Sequence, residues 1–160
     1  MNYLPDDIFI LQTSGIPLFA KCFGGDYYKM HPDHSLQTGF LAAMYSFSKE
    51  SFGQTKLKSI IFKDIKLDFK IDNEKEVILV FANPLEEKNI EFQLDKALSL
   101  FIEKYGAKLS TIIDEDSFKG FEQDLIENKI ATRGAMGDIR VEERKKSLWK
   151  RFVSRFKREK

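Results

Sequence analysis

The chain has 160 residues, 42% of them hydrophobic, with 15 Phe and one Cys, and its 26 Lys and Arg nearly balance 25 Asp and Glu. That length suits one domain with a short appendage. The apolar content is too high for a wholly disordered chain, the single Cys22 cannot form an intramolecular disulfide, and no stretch nears the ~18 apolar residues of a membrane span.

The near-neutral total conceals an asymmetry. Residues Ile139 to Lys160 hold 10 Lys and Arg against 3 Asp and Glu, a net of +7, which leaves the rest at −6. Opposed charge of this kind bears on association rather than on fold. The Met1 segment lacks the basic and long apolar regions of a secretory signal, so a reducing, cytoplasmic setting is expected, with any membrane attachment peripheral.

From Asp7 to Thr13, the apolar run Ile8-Phe9-Ile10-Leu11 stops at Gly15 and Pro17, and a second run follows through Leu18, Phe19, Ala20 and Phe23. Short runs of β-branched and aromatic residues bounded by turn residues predict a hairpin, closed by Gly24-Gly25-Asp26. After His31-Pro32-Asp33, the spacing of Leu36, Phe40, Met44 and Phe47, with Leu41 and Ala43 beside them, predicts an amphipathic helix that stops at Gly53. Three strands are expected next, Leu57 to Phe62, Ile65 to Ile71 and Val77 to Ala82. In the middle one, apolar residues alternate with Lys66, Asp68 and Lys70, so one face is buried and the other wet. Val77-Ile78-Leu79-Val80-Phe81 has no polar alternation, which points to a central strand covered on both faces.

Asn83-Pro84 ends that strand, and Ile90, Leu94, Leu98, Phe101 and Tyr105 line one side of a second helix that runs to Gly106. A third is expected from Ser117 to Ile130 through Phe118, Phe121, Leu125 and Ile126, with Asp114, Glu115 and Asp116 complementing the positive end of its dipole. The expected organisation is a domain over residues 1–130, a flexible connection over 131–138 and a basic amphipathic helix over 139–160. The order β-β-α-β-β-β-α with appended helices predicts an α+β fold, a five-stranded antiparallel sheet with flanking helices.

The hairpin with Ser14-Gly15-Ile16-Pro17-Leu18-Phe19, the helix with Asp33-His34-Ser35-Leu36-Gln37-Thr38-Gly39-Phe40-Leu41-Ala42-Ala43, and the three strands and helix after them resemble the longin and roadblock group over roughly Asp7 to Tyr105. The resemblance implies a longin/profilin-like fold and a non-enzymatic interaction module. Such modules include vesicle-trafficking adaptors and regulatory subunits of small GTPases. The implied partners are a small GTPase, a second longin/roadblock-like chain, or a second copy in a homodimer. No fusion-type coiled coil or membrane anchor follows the domain, which disfavours the membrane-fusion branch. The resemblance supplies no catalytic residue.

The residues themselves call for no cofactor. Neither Gly-x-x-x-x-Gly-Lys-Ser/Thr nor a strand-following Gly-x-Gly-x-x-Gly occurs, so a glycine-rich phosphate cradle has no support and the chain is not expected to be the GTPase itself. His31, Asp33 and His34 lack an identifiable further metal ligand and read as a helix start. Cys22, inside an apolar strand, reads as an unreactive thiol. Asp114-Glu115-Asp116, with Glu122 and Asp124 beyond, reads as a solvated helix start; it is also a place where the basic tail could rest in an autoinhibited state.

The tail has the clearest pattern. Leu148, Phe152 and Phe156 recur every fourth position with Trp149 and Val153 in the adjacent row, and Lys145, Lys146, Lys150, Arg151, Arg155, Lys157 and Arg158 flank that stripe. An apolar stripe rimmed with Lys and Arg suits a helix lying in an anionic membrane surface. It equally suits a helix packed on its own domain, on a dimer mate or in a partner's groove. Nucleic acid is disfavoured, because the acidic remainder would repel phosphates beside the tail.

Overall fold

A computed structural model describes residues 5–23, 34–53, 57–85, 89–111 and 116–131. The elements in chain order are β1 (Asp7–Gln12), β2 (Pro17–Cys22), α1 (His34–Phe52), β3 (Ser59–Ile61), β4 (Ile65–Asp72), β5 (Val77–Pro84), α2 (Glu91–Tyr105), a 3₁₀ turn (Gly106–Ser110) and α3 (Phe121–Glu127). The strands form one antiparallel sheet in the order β2-β1-β5-β4-β3. This is the α+β arrangement expected from the sequence.

β5 is the centre of the sheet, hydrogen-bonded to β1 on one side and β4 on the other. Val77 through Phe81 are all 0% exposed, as an unbroken apolar run requires when both faces are covered. Side chains that alternate along the strands supply two cores. Ile8, Ile10, Val77, Leu79 and Phe81 face α2 and α3, where they meet Leu94, Leu98, Phe101, Phe118, Phe121 and Leu125. Phe9, Leu11, Leu67, Phe69, Ile78 and Val80 face α1 and meet Leu41 and Ala42.

Three expectations need correction. The third helix is shorter than Ser117 to Ile130: a turn occupies 116–120, and α3 spans only Phe121–Glu127 before Lys129 takes φ +58. The third strand is likewise cut to Ser59–Ile61, the stretch paired with Lys66, Leu67 and Asp68 of β4. Asp68, expected on a wet face, is only 6% exposed, and the adjacent Lys66 ammonium at 3.2 Å offsets the charge that burial would otherwise penalise.

Two glycines do what only glycine does cheaply. Gly53 ends α1 at φ +68, and Gly15 turns the β1–β2 hairpin at φ +99 beneath α1. A Cβ on Gly15 would lie 3.5 Å from the Ala42 side chain, an ordinary contact, so space is not the obstacle there. Gly15→Ala is therefore expected to cost about 1–2 kcal/mol through backbone strain alone, measured as a lower urea midpoint with an unchanged slope.

Candidate functional site

Helix α1 is apolar on two faces, and only one of them is used. Its inner face presents Thr38, Leu41 and Ala42, all buried. Small residues there let the helix lie close to the sheet: Gly39 and Ala42 are the groups nearest Gly15 of the hairpin. Leu41 fills that face with Tyr45 partly buried beside it, while three further large residues are turned the other way. Leu36 is 74% exposed, Phe40 44% and Phe47 57%, and their spacing of four and seven puts them on one outer stripe, with the exposed Ala43 between. The periodic set that marked the helix in the sequence is thus largely its solvent face, not its core face. Packing decides the assignment: the hairpin at Gly15 lies against Gly39 and Ala42, so the face with Leu41 and Ala42 is the one that is buried.

The stripe continues onto the sheet edge. The Phe40 ring lies 6.4 Å from that of Phe62, just after β3, and next to it Ile61 is 63% exposed. At the far end of the helix, Phe47 meets Phe52 edge-to-face at 6.1 Å, and Phe52 is itself 65% exposed. β3 is an edge strand: among the described residues it is hydrogen-bonded to β4 on one side and to no strand on the other. Scattered exposed apolar residues are ordinary, but a contiguous set of large ones beside an open edge marks an interaction surface.

On the opposite face, the polar groups fasten elements together. Lys104 Nζ donates to both Asp124 carboxylate oxygens at 2.6 and 2.7 Å, tying α2 to α3, and it stands 5.5 Å from the Tyr105 ring centroid. The hydrogen bond to Asp124 holds the Lys104 ammonium above its usual pKa, and burial pushes the Tyr105 hydroxyl up. Lys21 reaches Glu122 at 3.4 Å and joins β2 to α3. Glu122 and Asp124 are therefore held in structural ion pairs rather than set side by side for acid/base work. Among the described residues, no group of three or more His, Cys, Asp and Glu could hold a metal ion, and no helix is long and apolar enough to cross a membrane.

The sites expected from the sequence lie mostly elsewhere. Lys145, Lys146, Leu148, Trp149, Lys150, Arg151, Phe152, Val153, Arg155, Phe156, Lys157 and Arg158 lie outside the described residues, as do His31, Asp33, Asp114, Glu115, Gly24 and Gly25. The α1 stripe and the β3 edge are not among the expected sites. A signal for them is nonetheless present: α1 carries Leu36, Phe40 and Phe47 in addition to Leu41 and Ala42, more apolar surface than one core face needs.

No protein-family model matches the chain, and no curated protein matches it in sequence. Among solved structures, the chain is similar to Myxococcus xanthus MglB, with a TM-score of 0.52 and 13% identity over 69% of this chain and 83% of that one. It is also similar to a Roadblock/LC7 domain from Streptomyces avermitilis (TM-score 0.47, 11% identity, 68% of this chain and 88% of that one). The mammalian SRP receptor matches at a TM-score of 0.44 and 15% identity, over 79% and 92%. With its five-stranded antiparallel sheet, α1 on one face and α2 and α3 on the other, the chain has a longin/roadblock-like fold.

Proposed function

We propose that the chain is a non-enzymatic interaction domain that pairs with a second copy of itself through the outer face of α1 and the free edge of β3, and that it serves as an adaptor or small-GTPase regulatory subunit. The observation that carries the pairing is the continuous exposed set Leu36, Phe40, Phe47, Ile61 and Phe62. A twofold interface must be self-complementary. An apolar stripe meets this condition, since it places no charge opposite its own image, and Lys49 and Glu50 near its end supply both signs for the rim. The open β3 edge adds backbone groups that a twofold-related β3 can pair antiparallel.

Sedimentation equilibrium of the full chain tests the pairing. The expected result at tens of micromolar is twice the chain mass of 18.6 kDa; a chain that stays monomeric at that concentration overturns it. The regulatory role rests on the resemblance to the longin and roadblock group, and its test is retention of a small GTPase in one nucleotide state over the other.

The C-terminal stripe Leu148, Trp149, Phe152, Val153 and Phe156, with its flanking lysines and arginines, is assigned to an anionic membrane surface. Near such a surface each basic residue contributes on the order of 1 kcal/mol, weakened by salt. A blue shift of Trp149 fluorescence is expected with anionic vesicles and not with neutral ones, and Trp149→Glu should abolish binding to them. An equal response to both vesicle types would favour the rival reading, a soluble dimerisation module whose tail packs on its own core or on a partner.

A further inference from the structure

A cleft of about 520 Å³ opens between β4 and the first turn of α2, on the sheet face opposite α1. Lys66, Asp68 and Lys70 line it from alternate positions of β4. Lys58 lines it from the sheet edge, where its carbonyl accepts the Phe69 N–H at 2.9 Å. The opposite wall is Asn89, Ile90, Glu91 and Leu94. The volume falls within the range of small-molecule sites, roughly 300–1,000 Å³.

The charges in the cleft are mixed, and their partners differ. Lys66 is tied to the buried Asp68 at 3.2 Å, a fixed pair that sets the floor. Lys70 is paired at 2.5 Å with Asp95, but both are well exposed, so this pair contributes little and is easily exchanged. Lys58 makes no ion pair with another described residue. The Lys58 ammonium, and that of Lys70 once it exchanges Asp95, are thus available to a ligand anion, beside three carboxylates, Asp68, Glu91 and Asp95, that would repel a bare anion and accept from hydroxyls. The Asn89 carboxamide is oriented by the Glu91 N–H, which donates to its Oδ1 at 3.2 Å. Ile90 and Leu94 back the wall from within the core.

From this combination we infer that the cleft binds a phosphorylated polyol, with phosphates on Lys58 and Lys70 and hydroxyls on Glu91 and Asp68. The same chemistry occurs free in solution and as a lipid headgroup. The cleft lies on the sheet face opposite α1, and Lys58 immediately precedes the β3 edge used in the proposed pairing.

Calorimetric titration of the full chain with inositol 1,4,5-trisphosphate and, separately, inorganic phosphate tests the inference. Saturable binding of one trisphosphate per chain is expected, at least tenfold tighter than inorganic phosphate, with at least a tenfold loss in the Lys58→Ala/Lys70→Ala variant. Both lysines are partly exposed, so that variant should fold; its circular dichroism and urea midpoint verify this. Undiminished binding in the variant would assign the polyanion to the basic tail and overturn the site. Equal affinity for inorganic phosphate would overturn the polyol. Glu91→Gln separates the two carboxylate roles: weaker trisphosphate binding supports hydroxyl recognition, and tighter binding refutes it. Vesicles with phosphatidylinositol 4,5-bisphosphate, compared with phosphatidylserine at equal surface charge, then distinguish the sources. Retention on the former that is lost in the lysine variant identifies a headgroup, and binding of the soluble trisphosphate alone identifies a free ligand.

Discussion

Phe47→Glu is expected to weaken self-association by about 30-fold or more while leaving the folding stability of the single chain within about 0.5 kcal/mol of wild type. Phe47 is 57% exposed in the single chain, so little packing is lost there. In a twofold contact along the stripe the same side chain would be desolvated, and truncating an aromatic anchor commonly costs at least about 2 kcal/mol. A carboxylate facing its own symmetry image adds repulsion. Leu36→Glu, 74% exposed on the same stripe, should behave alike. Phe92→Glu is the control: Phe92 is 73% exposed but lies on α2, across the sheet, and its replacement should leave the sedimentation profile unchanged. If all three variants associate like wild type, α1 is not the interface. If Phe92→Glu alone dissociates the chain, the interface is on α2.

Phe101→Ala is expected to lower the unfolding free energy by about 3–5 kcal/mol, the usual range for a buried phenylalanine reduced to alanine. Phe101 is 0% exposed, and its ring stands 5.4 Å from those of Tyr105 and Phe118 and 5.2 Å from that of Phe121. One residue thus joins α2 to the turn before α3 and to α3 itself. Phe121 extends the cluster to the sheet through Phe19, at 5.3 Å edge-to-face. Domains of this kind are stable by only about 5–15 kcal/mol, so the loss takes a large share of the total. Urea denaturation followed by far-UV circular dichroism measures it. Phe101→Leu, which keeps most of the volume, should recover the greater part. A loss under about 1 kcal/mol for the alanine variant would mean that this cluster does not fasten α3.

Much of the architecture is legible in the order of the amino acids. The strand and helix order, the central position of Val77 to Phe81 and the end of α1 at Gly53 all follow from local rules. An unbroken apolar run needs cover on both faces, and a helix stops readily where a residue takes positive φ. The limits of β3 and α3 do not follow in this way. β3 is an edge strand that pairs with Lys66, Leu67 and Asp68 although β4 runs on to Asp72, and α3 depends on where Phe118 and Phe121 meet Phe101.

The candidate surface divides in the same way. Charge opposition between residues 139–160 and the rest, and the four-residue recurrence of Leu148, Phe152 and Phe156 with Trp149 and Val153 in the adjacent row, are properties of sequence alone. So is the presence on α1 of two apolar sets, because helical period determines which residues share a face. Which set is buried is not a local property. Leu36, Phe40 and Phe47 form the more conspicuous stripe, but Thr38, Leu41 and Ala42 are the set that is buried, with Ala42 against the Gly15 hairpin. The cleft, too, exists only because β4 turns Lys66, Asp68 and Lys70 toward a helix that starts well after it in the chain. Periodicity and composition determined the elements and their apolar faces; how closely those elements pack decided which faces remain available to a partner.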